Sequence, residues 1–403
     1  MDVIIRPSRA VGTVAAPPSK SMAHRLLIGA GLSAGESVVR NLAYSKDIEA
    51  TIACLRALGA DIRTDGDTAT IRGINFRDCA EKSDLYCNES GSTLRFFIPL
   101  CLLDEERRTL RGSRYLFTRP LSVYEEIASA QGIEFIKSAD SLTVQGKLHS
   151  GVYEIPGNIS SQFVTGLLFA LPLLDGDSEL RLIPPVESRP YIDMTVATLR
   201  VYGVKVRADG DRYFIQGNQT YTPADVVVEG DYSNAAFFEA LNVAGSSVTV
   251  TSLKEDSLQG DRVYKILFEK IKRHEGTVDI ADCPDLGPVL FAVAALCGGG
   301  EFTGTRRLKM KESDRAAAMR DELEKLGVTL TVGEIDVSVS GALHAPIEAL
   351  CGHGDHRIVM ALAVLCTVTG GVITGAEAVE KSFPDFFDRL TELGVDIRYG
   401  MDQ

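Results

Sequence analysis

A short pattern recurs six times along the 403-residue chain: a helix-like stretch ends at a glycine, and a strand-like run follows. Most copies are about seventy residues apart, which is a spacing typical of repeated structural units, but the fourth interval is shorter. Glycine fits the left-handed conformation that often follows a helix. The pattern therefore predicts a repeated supersecondary unit. Its glycines are Gly59, Gly132, Gly203, Gly276, Gly327 and Gly394.

Two kinds of helix alternate along the chain. The helices that end at these glycines are amphipathic; in DRAAAMRDELEKLG, for example, Ala318, Leu323 and Leu326 should face inward. The helices of the other kind, such as PDLGPVLFAVAALC, are apolar nearly all round after a polar opening, which indicates burial on most sides. With the strand-like runs between them, they predict an α/β fold of six β-α-β-α-β-β units, each with a sheet of about four strands.

The length of the chain favours two domains, and three units in each is the natural division. We expect a continuous domain over residues 16–228 and a discontinuous domain made of residues 1–15 and 229–403. The N-terminal strand DVIIRPS has no unit of its own, so we expect it to join the last sheet.

Composition excludes several classes of protein. The formal net charge of −13 disfavours nucleic-acid binding, although it leaves room for a locally positive site that binds a small anion. The eight cysteines form no CxxC pair, which favours reduced thiols in a cytoplasmic protein. We see no signal peptide and no apolar run long enough to cross a bilayer.

Cations occur at or near the predicted helix N-termini, where the helix dipole disfavours them. Serine, asparagine and aspartate at such positions are ordinary N-caps, but capping does not explain lysine or arginine. A bound anion would explain the lysines and arginines, because the N–H groups at helix N-termini also donate hydrogen bonds to phosphate and carboxylate. We therefore expect a positive cleft between the domains, which close around a substrate with several negative charges. The cations are Lys20, Arg119, Arg189, Lys311, Arg315, Arg357 and Lys381.

Four acids accompany these cations. For Asp314 and Asp355 an ion pair is the favoured interpretation, whereas Asp285 has no cation near it in sequence. We take Asp285 and Glu312 as candidates for acid–base catalysis, and we interpret His356 as structural. Histidines and cysteines show no metal-site spacing, and there is no P-loop or GxGxxG motif, so we expect no metal and no cofactor.

Several motifs, in order, resemble the 5-enolpyruvylshikimate-3-phosphate synthase family. They are PPSKSMAHR, ESGSTLRF, SSQF, KESDR, GDHRIVM and KSFPDFF. The resemblance implies a two-domain enolpyruvyl transferase fold with three repeat units in each domain and the active site in the cleft between them. It also implies transfer of the enolpyruvyl group of phosphoenolpyruvate to shikimate-3-phosphate, a step of aromatic amino-acid biosynthesis that needs no cofactor. We expect a monomer whose partners are these two small molecules.

The same resemblance implies roles for individual residues. Asp285 would accept a proton and Glu312 would donate one, and Lys20 and Lys381 could share the proton transfers. Shikimate-3-phosphate would contact Lys20, Ser21, Arg25, Ser160, Ser161, Gln162, Ser188, Tyr191, Asp285 and Lys311. Phosphoenolpyruvate would contact Lys20, Gly91, Arg119, Gln162, Arg315, Asp355, Arg357 and Lys381.

Two positions depart from the family pattern: Glu89 and Arg307 stand where some members carry asparagine, which leaves substrate affinity and inhibitor response open. The nearest alternative is the related enolpyruvyl transferase that acts on UDP-N-acetylglucosamine, but its N-terminal Lys-Asn motif is absent. The other alternative is a non-catalytic repeat scaffold that binds an anionic partner.

Overall fold

The computed structural model describes residues 1–74 and 84–400. Its helices are α1 (Lys20–Gly31), α2 (Lys46–Ala57), α3 (Gly91–Leu100), α4 (Arg114–Thr118), α5 (Ser122–Gln131), α6 (Ser161–Ala170), α7 (Arg189–Val201), α8 (Tyr232–Val243), α9 (Tyr264–Lys272), α10 (Gly287–Cys297), α11 (Arg315–Lys325), α12 (His356–Thr369) and α13 (Phe386–Glu392).

The strands of the same residues are β1 (Val3–Ile5), β2 (Val11–Ala15), β3 (Glu36–Arg40), β4 (Asp61–Asp65), β5 (Thr68–Arg72), β6 (Asp84–Tyr86), β7 (Arg108–Arg111), β8 (Glu134–Lys137), β9 (Ser141–Gln145), β10 (Val152–Pro156), β11 (Ser178–Ile183), β12 (Val206–Asp209), β13 (Arg212–Ile215), β14 (Asp225–Val227), β15 (Ser247–Thr251), β16 (Thr277–Asp279), β17 (Gly299–Thr303), β18 (Val328–Val332), β19 (Asp336–Gly341), β20 (Leu350–Cys351), β21 (Gly371–Thr374) and β22 (Ile397–Tyr399).

The chain forms two compact units, each with its own hydrophobic core. The continuous unit is Pro18–Glu229, and the discontinuous unit is Met1–Pro17 together with Gly230–Gln403. The sheets of the continuous unit have the strand orders β14-β3-β5-β4, β6-β7-β9-β8 and β10-β11-β13-β12. In each sheet the first pair is parallel and the other two pairs are antiparallel.

The discontinuous unit repeats this topology in two sheets, β16-β17-β19-β18 and β20-β21-β1-β22. The predicted pairing of the N-terminal strand with the last sheet is confirmed, since β1 lies between β21 and β22, with Val3 opposite Ile373 and Tyr399.

The third sheet described in this unit has only two strands, β15 and β2, so the prediction of about four strands is wrong for it. After α9 and Gly276 the chain passes directly into β16, which pairs with β17 of the next sheet. The hairpin that follows α2, α5, α7 and α11 is therefore missing after α9. Its absence explains why Gly276 and Gly327 are close together in sequence.

The two predicted kinds of helix are confirmed. In α12 every residue from His356 to Thr367 is buried, and in α6 every residue from Phe163 to Ala170. In α9, by contrast, only Tyr264, Phe268 and Ile271 are buried. In α12 the ionisable residues, His356 and Arg357, lie in the first turn.

All six repeat glycines have positive φ angles, between +64° for Gly276 and +106° for Gly59. The left-handed conformation predicted for the ends of the amphipathic helices is thus confirmed, and an L-residue with a Cβ atom is strained there.

Two of these glycines give a matched pair of substitutions. A Cβ on Gly132 would meet no atom within 4 Å, whereas a Cβ on Gly203 would lie 2.6 Å from Thr222 Oγ1. We expect Gly132→Ala to lower the free energy of unfolding by about 1 kcal/mol, through backbone strain alone, and Gly203→Ala to lower it further through the steric clash. Gly132→Asn should cost less than Gly132→Ala, because asparagine tolerates this conformation. Urea unfolding measures all three variants, and equal losses for the two alanine variants would contradict the steric argument.

Candidate active site

The residues predicted to bind substrate fall into two clusters, one in each unit. We call the residues of the continuous unit the first cluster: Lys20, Ser21 and Arg25 of α1, Gly91 of α3, Arg119 after α4, Ser160, Ser161 and Gln162 at the start of α6, and Ser188 and Tyr191 at the start of α7. The second cluster, in the discontinuous unit, consists of Asp285, Lys311, Glu312, Arg315, Asp355, Arg357 and Lys381.

Arg25 connects three helices of the first cluster. Its guanidinium donates to Ser21 O (2.7 Å) on α1 and to Tyr191 O (3.0 Å) on α7. It also donates to the hydroxyls of Thr165 on α6 (3.4 Å) and Thr195 on α7 (2.9 Å). Burial lowers the pKa of Arg25 to about 10, so the side chain remains charged at neutral pH. Because these acceptors are neutral, the positive charge of Arg25 is not offset by them.

Arg95, which sequence reasoning missed, connects two further parts of the first cluster. Its guanidinium donates to Gln162 Oε1 (2.7 Å) and to Pro120 O (2.9 Å), next to Arg119. Gln162 in turn donates to Ser92 Oγ (2.9 Å) at the start of α3. Arg95 thus orients Gln162 and holds the backbone beside Arg119. The signal for it was present in the sequence, as a single arginine within the apolar run of ESGSTLRFF.

Arg119 and Gly91 are in close contact, because a Cβ atom on Gly91 would lie only 2.2 Å from Arg119 Nη1. Arg119 is 7% exposed. Within residues 1–74 and 84–400 its guanidinium has no hydrogen-bond acceptor, and its Nε is fully buried. A buried guanidinium without an acceptor is energetically costly unless an anion binds it.

Lys20 Nζ forms an ion pair with Asp47 Oδ2 at 2.7 Å. Sequence reasoning missed Asp47, which lies in the first turn of α2 and is brought to Lys20 only by the packing of α1 against α2. Arg189, at the start of α7, pairs with Asp211. Carboxylates of the chain therefore offset part of the unfavourable interaction between these cations and the helix dipoles. That compensation is the role predicted from the sequence for a bound anion.

The second cluster is organised by Arg315, which is 1% exposed. Its Nη1 donates to Asp285 Oδ1 (2.8 Å), its Nη2 to Glu312 Oε2 (2.6 Å) and its Nε to Asp355 Oδ2 (2.8 Å). Burial lowers the pKa of Arg315, but Asp355, Glu312 and Asp285 together raise it above its ordinary value. One arginine thereby fixes both candidate acid–base residues.

Asp285 has no cation near it in sequence, yet the fold gives it three. Besides Arg315, it contacts Lys311 Nζ (3.0 Å) and Arg357 Nη2 (3.2 Å). Burial raises the pKa of Asp285, but the three cations outweigh this effect and hold the pKa well below its ordinary value. Burial also lowers the pKa of Lys311, as do the charges of Arg315 and Arg307, although Asp285 opposes the shift.

The residues around the start of α12 complete the cluster. Asp355 caps the helix by accepting from Arg357 N (2.9 Å), and Lys381 Nζ donates to Gly354 O (2.6 Å). Arg357 is buried, and within the described ranges its Nε and Nη1 have no acceptor. It therefore keeps donors for an anion, as Arg119 does in the other unit.

Some details of the sequence analysis need correction. Asp355 forms the expected ion pair, but Asp314 forms none with the residues that the structure describes; it caps α11 by accepting from Ala317 N (3.1 Å). Arg119, Lys311 and Lys381 lie in the segments before α5, α11 and α13, outside the first turns of those helices. The expected thiols are seen at seven cysteines, all unpaired by disulfides, and Cys79 lies outside the described residues.

In residues 1–74 and 84–400, no three histidine, cysteine, aspartate or glutamate side chains are grouped closely enough to hold a metal ion. Across these ranges, no helix has the length and apolar character needed to span a membrane.

Comparison with known proteins decides the family. The model of EPSP synthase (3-phosphoshikimate 1-carboxyvinyltransferase) matches residues 4–390. The chain belongs to the EPSP synthase family. A 3-phosphoshikimate 1-carboxyvinyltransferase from Clostridium kluyveri is 41% identical over 98% of both chains, and one from Clostridium novyi is 37% identical over 98% of this chain and 97% of the relative. The resemblance in the motifs is thus confirmed, and the chain is a transferase.

Solved structures show that the fold is that of EPSP synthases. The EPSP synthase of Acinetobacter baumannii superposes with a TM-score of 0.79 at 22% identity and covers 98% of this chain and 99% of its own. The enolpyruvyl transferase NikO of Streptomyces tendae has a TM-score of 0.78 at 15% identity, with 98% of both chains covered. The second structure shows that the fold extends to other enolpyruvyl transferases.

Arg315 offers a direct test of the second cluster. Arg315→Ala would leave the buried Asp355 and the half-buried Asp285 and Glu312 without their shared cation, so we expect a loss of about 3–5 kcal/mol in the free energy of unfolding. Arg320, on the same helix, pairs with Asp321 and is exposed, so Arg320→Ala should cost less than about 1 kcal/mol. Urea unfolding compares the two variants, and similar losses would show that Arg315 is not the organising residue.

Proposed function

We propose that the chain transfers the enolpyruvyl group of phosphoenolpyruvate to the 5-hydroxyl of shikimate-3-phosphate and releases phosphate. The observation that supports this most directly is the pair Arg119 and Arg357, one in each unit, which keep buried donors with no acceptor in residues 1–74 and 84–400. Both proposed substrates are multiply charged anions, and guanidinium binds phosphate and carboxylate through paired hydrogen bonds. The names of the relatives agree with this activity.

We assign the substrates according to the family resemblance. Shikimate-3-phosphate contacts the α1, α6 and α7 residues of the first cluster, together with Asp285 and Lys311. The positive charge of Arg25, which no carboxylate offsets in the contacts given above, favours binding of the phosphate group of shikimate-3-phosphate near these helix N-termini. Phosphoenolpyruvate is bound by Lys20, Gly91, Arg119, Gln162, Arg315, Asp355, Arg357 and Lys381.

In the proposed reaction the 5-hydroxyl oxygen bonds to C2 of phosphoenolpyruvate. Its proton passes to Asp285, while Glu312 protonates C3, which gives a tetrahedral intermediate. The bond between C2 and the phosphate oxygen then breaks and C3 loses a proton, which restores the enol ether. Lys20 and Lys381 assist these proton transfers, and the arginines stabilise the departing phosphate. No cofactor takes part.

Asp285 is a weak base without substrate, because Arg357, Lys311 and Arg315 hold its pKa well below the ordinary value. We propose that substrate binding changes this. The phosphate and carboxylate groups of the substrates would add negative charge near Asp285 and would compete with it for Arg357 and Lys311. The added charge and the loss of these cation contacts both raise the pKa of a carboxyl group. Asp285 would then become a better proton acceptor only when both anions are bound.

The alternatives are less well supported. The curated relatives cited above are named for 3-phosphoshikimate and not for UDP-N-acetylglucosamine, and a non-catalytic scaffold gives no role to Asp285 and Glu312. We further propose that the protein works as a monomer in the cytoplasm, where its unpaired thiols would stay reduced. Its partners are small molecules.

Phosphate release tests the proposed activity. We expect turnover with phosphoenolpyruvate plus shikimate-3-phosphate and none with UDP-N-acetylglucosamine as the acceptor. Glu312→Gln should lower kcat at least about 100-fold, the usual contribution of one acid–base group. Unchanged unfolding of this variant would show that the loss is chemical. Absence of turnover in the wild-type chain would favour the non-catalytic scaffold. Normal turnover in Glu312→Gln would show that Glu312 is not the proton donor.

The contact between Gly91 and Arg119 tests the site of phosphoenolpyruvate. Gly91→Ala places a methyl group 2.2 Å from Arg119 Nη1, so the guanidinium must move. We expect the KM for phosphoenolpyruvate to rise at least about 10-fold, a loss of about 1.4 kcal/mol, and the KM for shikimate-3-phosphate to change less. The matched control is the same substitution in an Arg119→Ala background, where it should have no further effect on this KM. Additive effects of the two substitutions would contradict the mechanism.

A further inference from the structure

A buried carboxylate outside the proposed substrate contacts lies on the inner face of α11. Glu322 is 1% exposed and belongs to none of the motifs that carry the family resemblance. Its Oε2 accepts from Cys351 N (2.8 Å) and Lys325 Nζ (2.9 Å), and its Oε1 accepts from a ring nitrogen of His353 (2.7 Å). A carboxylate so buried and so fully bonded has a defined partner: the segment that precedes α12.

That segment, residues 351–357, has an unusual backbone. His353 is in the left-handed conformation with φ +50°, and Gly354 follows with φ +62°. Such a conformation is unfavourable for a residue with a Cβ, so surrounding contacts must maintain it. The backbone contacts are Gly352 N to Thr374 O (2.8 Å) and Asp355 N to Gly352 O (2.9 Å). Within the turn, Cys351 Sγ accepts from His353 N (3.4 Å), and Glu322 contributes side-chain contacts to both residues from α11.

Helix α11 therefore holds the segment at two points. Arg315, at its first residue, binds Asp355, and Glu322, seven residues later on the same buried face, binds Cys351 and His353. Two helical turns span about 11 Å, so the two contacts bracket the turn at His353 and Gly354. The turn carries the oxygen of Gly354 that accepts from Lys381 and leads directly into Arg357.

We propose that Glu322 is a positioning residue, which fixes residues 351–357 through Cys351 and His353 so that Arg357 and Lys381 are held in place for phosphoenolpyruvate. This inference rests on the proposed function, because it assumes that Arg357 and Lys381 bind that substrate. Glu322 itself touches neither substrate nor reacting atom. Its action is on the backbone that carries them.

The carboxylate is well suited to this role. Burial raises the pKa of Glu322, but the hydrogen bonds from His353 and from the Cys351 N–H, together with Lys325, outweigh burial and lower it. Glu322 is therefore charged at neutral pH. Lys325 also donates to Ala349 O (3.3 Å), which adds a further contact to the strand that leads into the segment.

The kinetic test is Glu322→Gln, which keeps the size of the side chain but replaces one acceptor oxygen with an NH2 group. We expect the KM for phosphoenolpyruvate to rise at least about 10-fold and the KM for shikimate-3-phosphate to change less than about 2-fold. The matched control is Leu323→Val, a substitution of the adjacent buried core residue that leaves every contact of Glu322 in place. If both variants raised the two KM values alike, Glu322 would be merely structural.

His353 supplies a rescue experiment. His353→Gln can still donate a hydrogen bond to Glu322, whereas His353→Ala cannot. We expect His353→Ala to raise the KM for phosphoenolpyruvate at least about 5-fold, and His353→Gln to remain within about 2-fold of the wild type. Equal effects of the two substitutions would show that the hydrogen bond between His353 and Glu322 does not position the segment.

Amide hydrogen exchange separates this inference from the proposed function, because it needs no substrate. In Glu322→Gln the amides of residues 351–357 should exchange at least about 10-fold faster than in the wild type, and in Leu323→Val they should not. Unchanged exchange of these amides would overturn the positioning role even if the enzyme were active. Faster exchange in Glu322→Gln, together with no turnover by the wild-type chain, would instead leave Glu322 as a positioning residue of this segment and overturn the proposed function.

Discussion

Burial of six helices along nearly their whole length decides where polar chemistry can occur in this chain. Helices α12 and α6 are buried along most of their length, and the ionisable residues of α12, His356 and Arg357, lie in its first turn. There, unpaired N–H groups of the backbone need acceptors, which the caps Ser160 and Asp355 provide. Several candidate site residues lie at such helix starts, among them Gln162 on α6 and Arg357 on α12.

The two clusters solve the electrostatic problem of burial in opposite ways. In the first cluster Arg25 is bound by neutral oxygens and Arg119 has no acceptor in the described residues, so positive charge is left for a ligand. In the second cluster Arg315 is surrounded by three carboxylates, so its charge is compensated and the three acids are held in place. A chain with a net charge of −13 can therefore bind anions, since the field of a site depends on its nearest groups.

The sequence was sufficient to predict the repeat, the two kinds of helix and the left-handed glycines, because each depends on residues close together in the chain. The contacts that it could not predict join distant residues. Asp47 meets Lys20, and Arg95 meets Gln162, only after separate helices have packed. Asp285 has no cation near it in sequence and acquires three by the same kind of packing. The missing hairpin after α9 was visible as a short interval, but nothing in the pattern said which strands had been lost.

In helix α11 a pair of contacts restricts where insertions and deletions can be tolerated. Arg315 and Glu322 are seven residues apart and share one buried face. An insertion or deletion of one residue between them would rotate one relative to the other by about 100° and turn a buried charge toward apolar neighbours. Descendants of this chain can therefore vary in length at hairpin tips, whereas the spacing between these two residues should stay fixed.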